Sequence, residues 1–345
     1  MSAITIGDDL IHYQVLGRGR PVILVHGWIG SWRYWIPTMQ HLRNEYRVYA
    51  LDLYGYGDSS KNNKKYSLQS QIDLIDNFLN KLGIAKTAFI GHSMGAMVVA
   101  RFAANPKNHG RVARVMVSNI PLFDPGDLET RDRDAHRFLT DNRTSQEVQP
   151  VRPSIAPTDA TIPTRTAAGL MRAAADNLTH EQSPTIANRP DEMLFNDVVL
   201  SGHNPLKERF KNSSLLDLLG RCFRKSEADY DKLKVDVDKA DNNVLQSSIR
   251  DFDSGAMLDT LRHLPMPTVI VHGANDPLLS PPPENVLEYL TEGRGDDRVL
   301  PVVLPDTRHF PMLEQEVFLR LSHDFLKTPD ISTIEVKGRW SRRIR

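Results

Sequence analysis

TAFIGHSMGAMVV, residues 87–99, runs apolar up to Gly91, places a serine at 93 and a second glycine at 95, and continues apolar. TAFIGH reads as a strand buried on both faces, because its apolar residues are nearly continuous rather than alternating. MGAMVVARFAANP reads as a helix that ends just before Pro106. The two elements meet at Ser93, so the hydroxyl sits on a sharp strand-to-helix turn. Gly91 and Gly95 remove the side chains that would collide where strand and helix cross this closely. A serine on such a turn takes a strained backbone conformation and presents its Oγ above the sheet. The turn also brings the Met94 N–H to the start of the helix, facing any oxyanion that forms beside Ser93.

Outward from this turn, short apolar runs alternate with longer amphipathic ones. PVILVHG (21–27), RVYALDL (47–53), RVMVSNI (114–120) and TVIVHG (268–273) are further buried strands, and RVLPVVLPD (298–306) is one more, interrupted by Pro301. SLQSQIDLIDNFLNKLG has the pattern of a helix with a Ser N-cap and a terminal glycine, Gly83. Strands alternating with helices give an α/β fold with a mostly parallel, doubly wound sheet. AITI and IHYQVLG, joined by Gly-Asp-Asp, form an antiparallel hairpin at one edge.

The alternation stops near residue 121 and resumes near 267. Residues 1–120 and 260–328 therefore form the core, and residues 121–259 form a mostly helical cap insertion. Its helical stretches are RTAAGLMRAAADNL, PDEMLFNDVVL, SSLLDLLGRCFRK and NVLQSSIRDFDSGAMLDTLRHL, after a polar segment, 124–163, long enough to carry a mobile loop. Residues 329–345 are a tail with five basic side chains, read as a solvated terminus.

A serine hydroxyl is a weak nucleophile and needs a base within hydrogen-bond reach, itself oriented by a third group. HGANDPLLS places Asp276 just after a buried strand. LPDTRHFPMLEQ places His309 after another strand and before an amphipathic helix, at the same carboxyl edge of the sheet. The chain order Ser93, Asp276, His309 is the one this architecture requires. Asp253, Asp124 and Asn119 are weaker candidates for the acid or its helper. A second oxyanion donor is expected from the loop after LVHG, where Gly27 lets the backbone turn tightly and present the Trp28 N–H across from that of Met94. His92 is expected to face away from the site, packed in the sheet, and His26 to be an ordered loop histidine. The 12 histidines show no HxH or HExxH spacing and no GxGxxG opens a strand–helix pair, so no metal and no cofactor is expected.

Taken as a set, LVHGWIGSWRYW, DLYGYGDSS, GHSMGA, HGANDPLLS and RHFPMLEQ resemble the α/β-hydrolase fold superfamily, in its serine-nucleophile branch. The resemblance implies catalytic roles for Ser93, Asp276 and His309, and an oxyanion hole of the Trp28 and Met94 N–H groups. It also implies a structural role for Asp52. Dehalogenases and epoxide hydrolases of this fold carry Asp at the elbow, and Ser93 argues against both.

Bulk composition is consistent with this. Lys+Arg and Asp+Glu number 43 each, so no net field favours nucleic acid or an acidic membrane surface. Cys222 is the sole cysteine, which excludes an intrachain disulfide or a cysteine metal cage. No apolar run approaches bilayer length, and the expectation is a soluble cytoplasmic protein. The reading is a serine hydrolase acting by acyl transfer on an ester or similar small acyl substrate with an apolar moiety. A carbon–carbon hydrolase, acyltransferase or cofactor-free haloperoxidase would use the same triad, and a ligand-binding receptor on this fold is the alternative of a different class.

Overall fold

β5 (Thr87–His92) lies inside an eight-stranded sheet whose order is β1-β2-β4-β3-β5-β6-β7-β8. The other strands are β1 (Ser2–Ile6), β2 (Asp9–Gly17), β3 (Arg20–Val25), β4 (Tyr46–Leu51), β6 (Val112–Ser118), β7 (Thr268–Gly273) and β8 (Val299–Leu304). The computed structural model describes residues 2–131, 203–294 and 298–334. The chain divides into two units, Met1–Glu129 with Val199–Arg345, and Thr130–Val198. Apart from residues 130 and 131, the second unit lies outside the described residues.

β2 runs antiparallel to β1 and β4, and every other pairing is parallel. All six residues of β5 and of β7 are buried, which is why their sequences are apolar without alternation. β8 tolerates Pro301 because among the described residues it is an edge strand, bonded only to β7, so one side of its ladder needs no donor.

The sheet is flanked by helices. α1 (Ile36–Leu42) packs on a long C-terminal helix, Glu316–Lys327, and α2 (Leu68–Lys81) packs on α3 (Met94–Ala104). α2 begins where Ser67 Oγ accepts from the Ser70 N–H at 3.2 Å, and buries Gln71, Leu74, Ile75, Phe78 and Leu79 along one stripe.

α3 crosses β3 and β5 so closely that a Cβ on Gly95 would lie 2.3 Å from the Val25 carbonyl oxygen and 2.4 Å from that of His26. A Cβ on Gly91 would lie 2.6 Å from the Gly95 carbonyl oxygen. Both obstacles are backbone and cannot swing aside. Gly95→Ala should therefore cost about 3 kcal/mol or more as overpacking, read as a lower denaturant midpoint. Gly110→Ala, where nothing lies within 4 Å of the added carbon, is the near-neutral control.

Between β6 and β7 the described helices include α4 (Pro205–Arg209), α5 (Leu215–Cys222), α6 (Ala228–Lys239), α7 (Val244–Ile249) and α8 (Ser254–Arg262). The stretch from 243 to 264, read from sequence as one helix, is two: Asp253 Oδ1 accepts from the Ala256 N–H at 2.7 Å and starts α8 afresh. α6 was not expected. Its apolar stripe is narrow, with Tyr230, Leu233 and Val237 buried among charges. The helices expected at 165–178 and 190–200, and tail residues beyond 334, lie outside the described residues. Among the described residues no helix is long and apolar enough to cross a membrane.

Candidate active site

Ser93 follows the last residue of β5 and caps α3 with φ 54° and ψ −119°, a backbone region that L residues seldom occupy. Its N–H donates to the Ser118 carbonyl oxygen at 2.8 Å, tying the turn to the end of β6. The side chain is fully buried, and its Oγ has no hydrogen-bond partner among the described residues. A buried hydroxyl left unpaired is costly, and here it coincides with a strained backbone.

The backbone after β3 lies directly against the serine, since a Cβ on Gly27 would sit 2.6 Å from Ser93 Cβ. Any residue but glycine would push that loop away. Among the described residues neither the Trp28 nor the Met94 backbone N–H has an acceptor. The Trp28 indole is buried and donates to Ser248 Oγ at 2.9 Å, so side chain and backbone of this residue point to different tasks.

His309 and Asp276 meet as a buried pair, Nδ1 to Oδ2 at 2.8 Å. The carboxylate is held from every side. Oδ1 accepts from the Leu278 and Leu279 N–H groups at 2.8 and 3.1 Å, and Oδ2 also accepts from Asn119 Nδ2 at 2.7 Å. Burial alone would raise the Asp276 pKa, but the adjacent His309 and these hydrogen bonds outweigh it and hold the group at about 2. An ionised Asp276 keeps the proton of His309 on Nδ1 and leaves Nε2 with its lone pair. His309 is placed beside the elbow through His92, whose ring centroid lies 4.8 Å from its own.

Asn119 is the helper that the sequence reading ranked low. It has φ 49°, and Ser118 Oγ donates to its Oδ1 at 2.8 Å, which turns the amide nitrogen toward Asp276. Asp124 instead accepts from Gly126 N–H and Asn285, and Asp253 caps α8. Asp52 accepts from the Trp32 and Asp58 N–H groups and pairs with His12 Nδ1, consistent with its structural reading. His12, Asp52 and Asp58 are one cluster of possible metal ligands among the described residues. Their carboxylates are already engaged, Asp58 by Arg33 and Lys239.

Ser93 and His309 are 0% and 1% exposed. Residues 210–227 pack against the loops that carry them. Phe210 stands edge-on to Trp28, Phe223 packs on Phe310, and Arg308 donates to the Cys222 carbonyl and to Glu227.

A sequence model described as alpha/beta hydrolase fold matches residues 20–316. Among curated proteins, the chain is 37% identical over 122 residues to bifunctional epoxide hydrolase 2 of Rattus norvegicus, covering 33% of this chain and 21% of the relative. It is 40% identical over 115 residues to epoxide hydrolase 4 of Homo sapiens, covering 32% of this chain and 31% of the relative. The chain thus spans well under half the length of these relatives. Among solved structures, a thermophilic esterase from Thermogutta terrifontis superposes with TM-score 0.58 at 19% identity, covering 96% of this chain and 100% of that one. A meta-cleavage product hydrolase from Pseudomonas fluorescens gives TM-score 0.56 at 20% identity, covering 94% and 97%. At these identities the superpositions speak for the fold alone. With the sheet order, the elbow and a family match over most of its length, the chain belongs to the alpha/beta hydrolase fold family.

Proposed function

We propose that the protein is a serine hydrolase of carboxylic esters or similar small acyl substrates. One observation carries this reading: a buried Ser93 Oγ without a partner among the described residues, on a strained elbow, next in sequence to His92, whose ring lies 4.8 Å from a histidine with Nδ1 committed to an ionised carboxylate. His309 Nε2 takes the Ser93 proton as Oγ attacks the carbonyl carbon. The oxyanion is held by the Trp28 and Met94 N–H groups, which have no other acceptor among the described residues. His309 then protonates the leaving group. Water, deprotonated by the same nitrogen, releases the acyl group from Ser93. The described residues between 203 and 259 act as a cap over this site, and their buried apolar side chains favour an apolar acyl moiety.

The names of the curated relatives raise epoxide opening as a rival. Chemistry weighs against it. A serine oxygen attacking an epoxide carbon would leave an alkyl ether, which has no carbonyl for water to attack. An acyl-serine does have one, so turnover requires an acyl substrate. A ligand-binding receptor is favoured by a single feature, the closure of the site over Ser93 and His309.

Steady-state and stopped-flow assays on p-nitrophenyl esters of increasing acyl length, with styrene oxide in parallel, test the assignment. Ester turnover with a pre-steady-state burst of p-nitrophenol is expected, and no diol from the epoxide. Binding of the esters without turnover would overturn the hydrolase and leave the receptor.

A further inference from the structure

Three loops of the site meet on one buried hydrogen-bonded chain in which neither Ser93 nor Asp276 takes part. The Gly27 N–H donates to Tyr34 Oη at 2.6 Å, Tyr34 Oη lies 2.9 Å from His92 Nδ1, and His92 Nε2 lies 2.7 Å from the His309 carbonyl oxygen. Donor and acceptor roles follow from the atoms. A carbonyl oxygen only accepts, so His92 carries its proton on Nε2. Burial, reinforced by the neighbouring His309, pushes the His92 pKa well down, so the ring is neutral and Nδ1 offers a lone pair. Tyr34 therefore donates its hydroxyl proton to His92 while its oxygen accepts from Gly27. Tyr34 is 3% exposed and His92 and His309 are each 1% exposed, so each bond is made where losing it is costly.

Gly27 is gripped at its other end as well. His26 Nε2 accepts from the Leu53 N–H at 3.0 Å, which leaves the proton on Nδ1, and Nδ1 donates to the Gly27 carbonyl oxygen at 2.8 Å. In a trans peptide the following N–H points opposite to that carbonyl. The direction of the Trp28 N–H is thus set by His26 on one side and Tyr34 on the other.

We infer that Tyr34 and His92 are positioning residues that hold the oxyanion peptide at Gly27–Trp28 in register with the His309 backbone, through the residue that precedes the nucleophile. The inference rests on the serine-hydrolase reading. His92 is thereby more than a packed sheet residue. It stands at the last position of β5, where its ring meets Tyr34, Trp35, His309 and Phe310.

Tyr34→Phe keeps the ring that packs on His92 and Phe310 and removes only the oxygen. His92→Leu removes both ring nitrogens, and His92→Gln keeps an N–H able to reach the His309 carbonyl. A misplacement of reacting groups by about 1 Å costs on the order of 10²-fold. On the best p-nitrophenyl ester, kcat should fall about that much in Tyr34→Phe and His92→Leu, with KM within about threefold. The rate of fluorophosphonate labelling should fall in step. His92→Gln should recover about tenfold over His92→Leu, and the double variant should fall little further than either single one, because both cut one chain. Histidine 15N NMR of the wild type should show His92 with its proton on Nε2. A lower unfolding midpoint with wild-type kcat, no recovery in His92→Gln, or a proton on Nδ1 would overturn the inference while leaving the hydrolase intact. Wild-type protein that takes no label at Ser93 would overturn both.

Discussion

One equivalent of a fluorophosphonate attaches to the wild-type protein, on the peptide that carries Ser93: that is the expected result of labelling followed by peptide mapping. The reagent needs a base to raise the nucleophilicity of the attacking oxygen and donors to accept the phosphoryl oxygen, and both are proposed at this one residue. Ser93→Ala should take no label, and its ester turnover should fall by about 10⁴- to 10⁶-fold, as expected when one member of a cooperating triad is lost. His309→Ala should lose nearly as much, because a serine without its base is an ordinary alcohol. The far-ultraviolet circular dichroism of both variants should match wild type, since Ser93 Oγ makes no hydrogen bond among the described residues and neither substitution touches the backbone ladder. The 22 serines of the chain supply 21 internal controls, none on a comparable turn between glycines. Because the site is closed over Ser93, a small sulfonyl fluoride is run beside the fluorophosphonate. Label on a different serine, or no label from either reagent on folded protein, would overturn the mechanism.

The sheet is legible in the sequence because the strands around the site are buried on both faces and so lose the alternation that would mark a half-exposed strand. The elbow is legible because its information is local, two glycines and a serine between a strand and a helix. Information carried by distant pairs is not. Asn119 serves Asp276 from 157 positions away; its place at the end of a strand makes it a candidate helper, but nothing near residue 119 says that its amide nitrogen faces Asp276. The contact of His92 with the His309 loop is hidden in the sequence for another reason. Alternation says where a side chain points while a strand continues, and at His92 the strand ends and the chain turns, so the ring lies under the His309 loop. α6 is hard to read because its three buried apolar residues stand among charges and an exposed Val235 blurs their period, yet Asp236 on that helix is 1% exposed and paired with Arg33 at 2.8 Å. Helical identity there comes from docking, which only the fold supplies.

Asp276→Asn should lower kcat by about 10⁴-fold with little loss of folded protein. The amide oxygen can still accept from the Leu278 and Leu279 N–H groups, so the loop after β7 keeps its anchor. The amide nitrogen then faces Asn119 Nδ2 and His309 Nδ1, a donor set against two donors. The contact is relieved when His309 moves its proton to Nε2, and in that tautomer it cannot take the Ser93 proton. The same variant has a signature in stability. The Asp276 carboxyl is held at about 2 in the folded chain, below the ordinary carboxylate value of about 4, so its ionised form stabilises the fold. That contribution is fully present above pH ~4 and is lost as the pH falls through ~2. Denaturant midpoints of wild type and Asp276→Asn should therefore differ above about pH 4 and converge between about pH 4 and 2. A variant with near wild-type kcat would move the acid elsewhere on the sheet edge. Parallel midpoints down to pH ~2 would show instead that Asp276 is not an ionised partner of His309 in the folded protein, and the base would need another source for its orientation.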